Sequence, residues 1–322
     1  MSGKQEKSAE GYSTARIFGD YLLMLLVPAV VSIYYYGNAA LSTLMVCAFT
    51  ALGCDILGSA LITKQFYIKD TSAICSGIMI ALMLPATAPL YVGALASAFA
   101  VIVIKVPFGG GKHAPFVPAA AGFASAAVCF KEYVFTYSGG RDGMVTRSLG
   151  ATLHSGGSLR LTATTVIDIL TGNFYGPMGT GCVIIFIACI VFMAIRRKNA
   201  LITALGFIVS CAVIAVLFPR TNGTRLSSLV LEICSGSLLF TALFLMTDYA
   251  TQPKHSINKI LYGLFTGIIF MAMRHLGAYE EPACFAVLLG NAFSSFTDIL
   301  AERLQVIFTS KKGTMEVKID EA

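Results

Sequence analysis

The sequence predicts an all-α polytopic membrane protein, with about ten transmembrane helices in two inverted five-helix repeats. Three observations predict it. Apolar residues make up 56% of the chain and charged residues 12%, at a mean hydropathy of +0.77. Ten apolar runs follow one another, separated by Gly, Pro and charge. Short words recur at a nearly constant offset. An ordinary soluble domain carries about 25% charged residues, and a soluble fold of 322 residues could not hide this much apolar surface. Lipid accepts apolar surface on every helix face. The composition therefore excludes a soluble enzyme, a disordered chain and a nucleic-acid binder.

The runs lie near 17–36, 39–62, 71–84, 90–106, 118–136, 177–195, 201–218, 227–247, 258–273 and 283–300. The first residues, 1–16, are polar, lack a cleavage site after an apolar core, and form a cytoplasmic tail rather than a signal peptide. Residues 17–136 form the first transmembrane repeat, 137–176 a hydrophilic outer loop, 177–300 the second repeat and 301–322 a second cytoplasmic tail. The third run is short and ends at Leu84-Pro85-Ala86-Thr87-Ala88-Pro89. Such an ending marks a broken helix near a ligand.

Basic residues orient the bundle. With the N-terminus inside, 16 of the 23 Lys and Arg fall in inner segments. That bias places both termini in the cytoplasm. The net charge of +6 is then a matter of topology rather than of an acidic partner.

The repeat rests on three word pairs. Ile74-Cys75-Ser76-Gly77 recurs as Ile233-Cys234-Ser235-Gly236, Ala86-Thr87-Ala88-Pro89 loosely as Ala250-Thr251-Gln252-Pro253, and Pro118-Ala119 as Pro282-Ala283. Five spans per repeat invert the second copy, and inverted halves form sites at their interface.

Four features carry chemistry. The loop from Lys105 to Pro118 holds Gly109, Gly110 and Gly111. Glycines let a backbone approach a ligand and aim amides at it. With Lys105 and Lys112 it suits a phosphate, a flavin ring or a quinone headgroup, or it is a tight interhelical turn. The outer loop Arg141–Ser155 is rich in hydroxyl and basic groups but has no GxGxxG or Walker pattern. Asp248 ends the eighth run beside Pro253, where an acid caps a helix or binds a cation. Asp55 and Glu232 lie well inside spans, and Asp20 and Asp298 nearer their ends. An intramembrane acid serves an ion path or a buried hydrogen bond. The nine Cys form no CxxC pair and the four His show no ligand spacing, so no metal site is expected.

The ordered motifs resemble a known family. Ser76-Gly77 through Pro85-Ala-Thr-Ala-Pro89, then Lys105-x3-Gly109-Gly110-Gly111-x3-Pro115-Phe116-x-Pro118-Ala119, are similar to the D subunit of the Rnf electron-transport complex. The B subunit of the sodium-translocating NADH:quinone reductase shares the pattern. Met246-Thr247-Asp248-x-Ala-Thr251-x-Pro253, Gly277-x-Tyr279 and Ala286-Val-Leu-Leu-x-Asn291-Ala match its C-terminal part.

The resemblance implies a subunit of the bacterial cytoplasmic membrane that relays electrons between partner subunits of an ion-translocating ferredoxin:NAD oxidoreductase. It implies FMN bound through its phosphate to a Thr hydroxyl by a separate flavin transferase. The matching position is Thr152, within Leu149-Gly150-Ala151-Thr152. It further implies a second flavin or a quinone near Gly110, Gly111 and Asp248. Several positions depart from the pattern. Leu149 stands where a hydroxyl residue precedes Gly150, Thr146 where the motif has an acid, and Leu153 where Pro follows the Thr. Ala114 and Val117 replace Asn residues beside the Gly-rich loop, and Gly176–Thr180 lacks a Glu. Thr146 and Ser148 are alternative acceptors. A flavin-free structural subunit and a secondary transporter or channel are the competing readings.

Overall fold

The computed structural model describes residues 2–63, 71–110, 114–138, 145–146, 170–172, 176–220, 225–234, 236–253, 255–277, 281–300 and 303. The fold is helical. Its elements are α1 (Ser2–Tyr36), α2 (Asn38–Thr63), α3 (Ser72–Met83) and α4 (Leu90–Phe99), which continues as a π-helical turn over Ala100–Lys105. There follow α5 (Pro118–Cys129), α6 (Val183–Arg196), α7 (Lys198–Leu217), α8 (Arg225–Cys234) and α9, which starts at Leu238–Phe240 and turns π-helical over Thr241–Leu245. The last elements are α10 (Ser256–Leu276), α11 (Ala283–Ala292) and α12 (Ser294–Leu300). Tyr137–Ser138 and Val145–Thr146 pair as a short antiparallel ladder at the base of the long loop.

This is a multi-pass membrane protein by the measure of its helices. Among the described residues, four helices are long and apolar enough to cross a bilayer: Arg16–Tyr36 within α1, Asn38–Ile62, Lys198–Leu217 and Ser256–Leu276. Two more spans arise if α8 with α9, and α11 with α12, each cross as one bent unit. The bends are 61° and 55°. The remaining apolar helices, α3, α4, α5 and α6, are shorter. At 1.5 Å per residue, α3 reaches only about 18 Å of a hydrocarbon core about 30 Å thick.

Each of the ten expected runs contains helix, but four depart from one unbroken helix, and the tenth bends by 55° between α11 and α12. The run expected over 118–136 breaks at Phe130, where α5 stops and a single turn, Lys131–Val134, follows. The run expected from 177 becomes helical only at Val183, and Gly176–Thr180 is a buried irregular segment. The eighth run is broken between α8 and α9, at Gly236, whose φ of +66° a helix does not allow.

The packing follows from small residues. α2 packs on α3 and α4, and α4 packs on α5. α7 packs on α8 and α10, and α10 packs on α11. The α7–α10 contact is backbone-close, because a Cβ on Gly263 would lie 2.5 Å from the Thr203 carbonyl oxygen. One continuous apolar core runs through both halves. Phe49, Leu57, Val191 and Val209 point outward, an exposed apolar surface suited to lipid.

Two of the three repeated words occupy like places. Pro118 opens α5 and Pro282 precedes α11, while 86–89 and 250–253 follow the ends of α3 and α9. The third pair differs. Ile74–Gly77 lies inside α3, whereas Ile233 and Cys234 end α8 and Gly236 sits at the break.

Candidate functional site

The buried polar groups gather in three places, and the long loop is anchored at a fourth. The first is an ion pair. Lys105 ends the π-helical turn of α4 and turns back into the bundle, so that Nζ lies 3.0 Å from Oδ1 of Asp55 on α2. Both side chains are buried. Lys105 is therefore not a basic group of the glycine loop, as the sequence suggested. Two of the loop's amides are also committed. Gly109 N–H donates to Val106 O at 3.2 Å and Gly110 N–H to Lys105 O at 3.1 Å. With φ of +87° and +109°, these two glycines close the π-helical turn as a left-handed cap. Gly111 and Lys112 lie outside the described residues.

The second place is a cleft among the starts of α3 and α5, the first half of α1, and Asp248. Phe18, Tyr21, Ser72, Cys75, Ser76, Met79, Pro118 and Asp248 line it. Asp248 follows the end of α9 and is buried. Burial pushes its carboxyl up to about 6, against the pull of the Ala250 N–H, at 3.2 Å, and of the Arg197 guanidinium. Thr247 Oγ1 donates to Leu243 O at 2.5 Å, so Tyr21 is the donor in its 2.6 Å bond to Thr247. The Arg197 guanidinium stacks 4.3 Å from the centre of the Tyr21 ring.

The hydroxyls, tyrosine and carboxylate of this cleft are apt for a polar ring. The space is not: it has room for about one water molecule. A flavin or quinone ring does not fit there in this conformation. Sequence reasoning found Asp248 and missed Tyr21 and Arg197, which are 227 and 51 residues away from it in the chain.

The third place lies around the α8–α9 break. Glu232 on α8 accepts a two-pronged bond from Arg220, Nε to Oε1 at 2.6 Å and Nη2 to Oε2 at 2.8 Å. Arg274 of α10 reaches the same carboxylate at 3.2 Å and the Glu232 carbonyl at 3.0 Å. Beyond the break, Ser237 donates its N–H at 3.1 Å and its hydroxyl at 2.5 Å to Oε2 of Glu281. Glu281 was not singled out from sequence. Its signal was its position just before the recurring Pro282-Ala283.

The other expected acids are also partnered. Asp20 pairs with Arg196 at 2.9 Å, and Asp298 accepts from Asn258 at 2.6 Å. Among the described residues, no three His, Cys, Asp or Glu converge as a metal site.

The long loop is pinned at its two ends. Thr87 Oγ1 donates to Thr136 O at 2.6 Å. On the far side, Met178 N–H donates to Leu84 O at 3.1 Å and Gly179 N–H to Leu82 O at 2.8 Å, just where α3 ends. Tyr35 donates its hydroxyl to Thr171 O at 2.9 Å. Gly150, Ala151 and Thr152, with the alternative acceptor Ser148, lie outside the described residues; Thr146 ends the short ladder.

Comparison with known proteins adds what geometry cannot. A family model described as NQR2, RnfD and RnfE matches residues 7–306. The chain belongs to the NQR2/RnfD/RnfE family. It is 25% identical over 306 residues to a protein of Acetobacterium woodii named as the D subunit of the Na(+)-translocating ferredoxin:NAD(+) oxidoreductase complex, covering 94% of this chain and 93% of that one. It is 26% identical over 335 residues to the D subunit of the ion-translocating oxidoreductase complex of Shewanella denitrificans, covering 90% and 93%. The protein of the same name from Alcanivorax borkumensis is 24% identical over 271 residues, covering 77% and 79%.

Proposed function

We propose that this chain is the D subunit of an ion-translocating ferredoxin:NAD oxidoreductase complex of the Rnf type. The family match across residues 7–306 carries this reading. The chain would be assembled with the complex's other membrane and peripheral subunits in a bacterial cytoplasmic membrane, with both termini inside. Ten spans in two inverted halves are the arrangement we favour. It is supported by the parallel packing of α2 with α3 and α4 and of α7 with α8 and α10, and by the prolines that open α5 and precede α11.

Within this reading Thr152 is the acceptor for an FMN phosphate, attached by a flavin transferase. Bound there, the flavin supplies a carrier that takes up and releases electrons at the membrane surface. The chain's own part is to hold that carrier in place. The pinned loop ends support it, because Thr87, Leu82 and Leu84 tie residues 136 and 178–179 to the end of α3. Ferredoxin and NAD chemistry belongs to other subunits, since the chain has neither a CxxC pattern nor a dinucleotide fingerprint.

The test is intact mass and in-gel fluorescence of the purified chain after co-expression with a flavin transferase. A fluorescent band heavier by one esterified FMN, mapped to the Thr152 peptide and lost in Thr152→Ala, is the expected result. A dark wild-type band in an assembled complex would leave a flavin-free structural subunit. Saturable solute uptake by the unflavinylated chain alone would instead point to a transporter.

A further inference from the structure

The Glu281 carboxylate is more than nine-tenths buried, and its two oxygens are treated unequally. Oε2 takes both Ser237 donors, while Oε1 is buried with no hydrogen-bond partner. Among the described residues no Lys, Arg or His nitrogen reaches it. Arg274 is committed to Glu232. Gly236 makes the arrangement sterically feasible, since a Cβ on that residue would collide with Glu281 Oε1. On the next turn, Cys284 gives its thiol proton to Met83 Sδ at 3.9 Å, so that side of the carboxylate is soft and apolar. A buried anionic oxygen without a partner is costly, by several kcal/mol for a carboxylate. Ion pairing inside the chain removes that cost for Asp55, Asp20 and Glu232 but not for Glu281.

We propose that Glu281 and Ser237 form the protein half of a binding site for a small alkali cation, in the break between α8 and α9. The proposal rests on the reading of the chain as a subunit of an ion-translocating complex and names where the ion meets this subunit. A hard monovalent cation takes oxygen ligands. The site offers Glu281 Oε1 and the lone pairs of Ser237 Oγ, beside the end of α8, where a helix leaves its last carbonyls without intrahelical donors. Broken membrane helices supply cation ligands in this way. A bound cation would complete Oε1 and hold α11 against the start of α9, so occupancy should stabilise the fold.

The experiment is thermal unfolding of the purified full chain in lipid nanodiscs, in NaCl against choline chloride at equal ionic strength. The wild type should gain several degrees in Tm with NaCl, saturably, and LiCl and KCl should differ from it in midpoint. Glu281→Gln should unfold at a Tm that NaCl and choline leave equal. Ser237→Ala keeps the carboxylate. It should reach the same plateau at a midpoint several-fold higher, and it stands as the test should Glu281→Gln fail to fold.

A wild type that does not distinguish NaCl from choline overturns the site. So does a Glu281→Gln variant that keeps the NaCl gain, or a wild-type gain that comes only from lowering the pH. Covalent flavin and co-purified partner subunits are scored on the same preparations. Absence of partner subunits would overturn the subunit reading, absence of flavin alone would leave a flavin-free subunit, and in either case the Na⁺ response still reports on Glu281.

Discussion

The two halves of the molecule handle buried charge in opposite ways. In the first half, Asp55 of α2 and Lys105 at the end of α4 meet one to one, 3.0 Å apart, with both side chains buried. In the second half the charges are mismatched. Glu232 takes two arginines, while Glu281, across the break, takes none among the described residues. The first arrangement is closed and self-neutralising. The second leaves a guanidinium in excess on one side of a broken helix and an unpartnered carboxylate oxygen on the other. A closed pair staples two helices. An open one has capacity left to bind, and this difference is the ground for the cation site proposed in the second half.

The largest expected effect tests the closed pair. Asp55→Asn or Lys105→Met alone strands a buried charge, and should cost about 3–5 kcal/mol. The double variant Asp55→Leu/Lys105→Met removes both charges and should restore most of that loss. Thermal melts of the four proteins give the coupling directly. Should the double variant be as unstable as the worse single one, the pair does more than neutralise itself, and the contrast between halves fails.

The next effect concerns Asp248, the acid in the small cleft. Its carboxyl is held at about 6 because burial penalises its charge. The unfolded chain gives up that proton at the ordinary Asp value, near 4, before the folded chain does. Stability from this group is therefore complete below about pH 4 and is lost as pH rises through about 6. The loss is about 3 kcal/mol at 1.36 kcal/mol per unit. Melting the wild type from pH 4 to 7 should show a Tm that falls and then levels off above about pH 6, and Asp248→Asn should flatten the slope and exceed the wild type at pH 7. An unchanged slope in Asp248→Asn would place the pH response elsewhere.

How much of this was legible in the sequence depends on range. The ten apolar runs were, because hydropathy and punctuation are local, and Pro118 and Pro282 marked helix starts. The break at Phe130 was announced only by the charged pair Lys131-Glu132, because no Gly or Pro marks it and the run turns apolar again at Tyr133. Gly109 and Gly110 read equally as a ligand-approaching loop or a tight interhelical turn, because positive-φ glycines serve anion nests and helix caps alike, and their cap bonds to Val106 and Lys105 are set by the fold. The pairing of Asp55 with Lys105 and of Glu232 with Arg220 and Arg274 joins residues 50, 12 and 42 positions apart. Each acid was visible, but its partner is fixed by helix packing. Glu281 was not singled out, because its place before Pro282-Ala283 is a weak signal and its burial is set by packing.

The smallest expected effect uses the word that the two halves share. Gly77 lets α3 approach α2, since a Cβ there would lie 2.6 Å from the Cys47 carbonyl oxygen and 3.0 Å from Ala51 Cβ. Gly236 lets a carboxylate approach the backbone at a left-handed φ of +66°. Gly77→Ala should cost about 1–2 kcal/mol through overpacking, and should lower Tm equally in NaCl and in choline chloride. Gly236→Ala meets a similar cost from its φ, and it also pushes Glu281 Oε1 off its place. Its NaCl increment should therefore vanish. Equal losses in both salts for both variants would mean that the two glycines serve helix geometry alone. A loss of the increment confined to Gly236→Ala would mean that one four-residue word packs helices in the first half and shapes an ion site in the second.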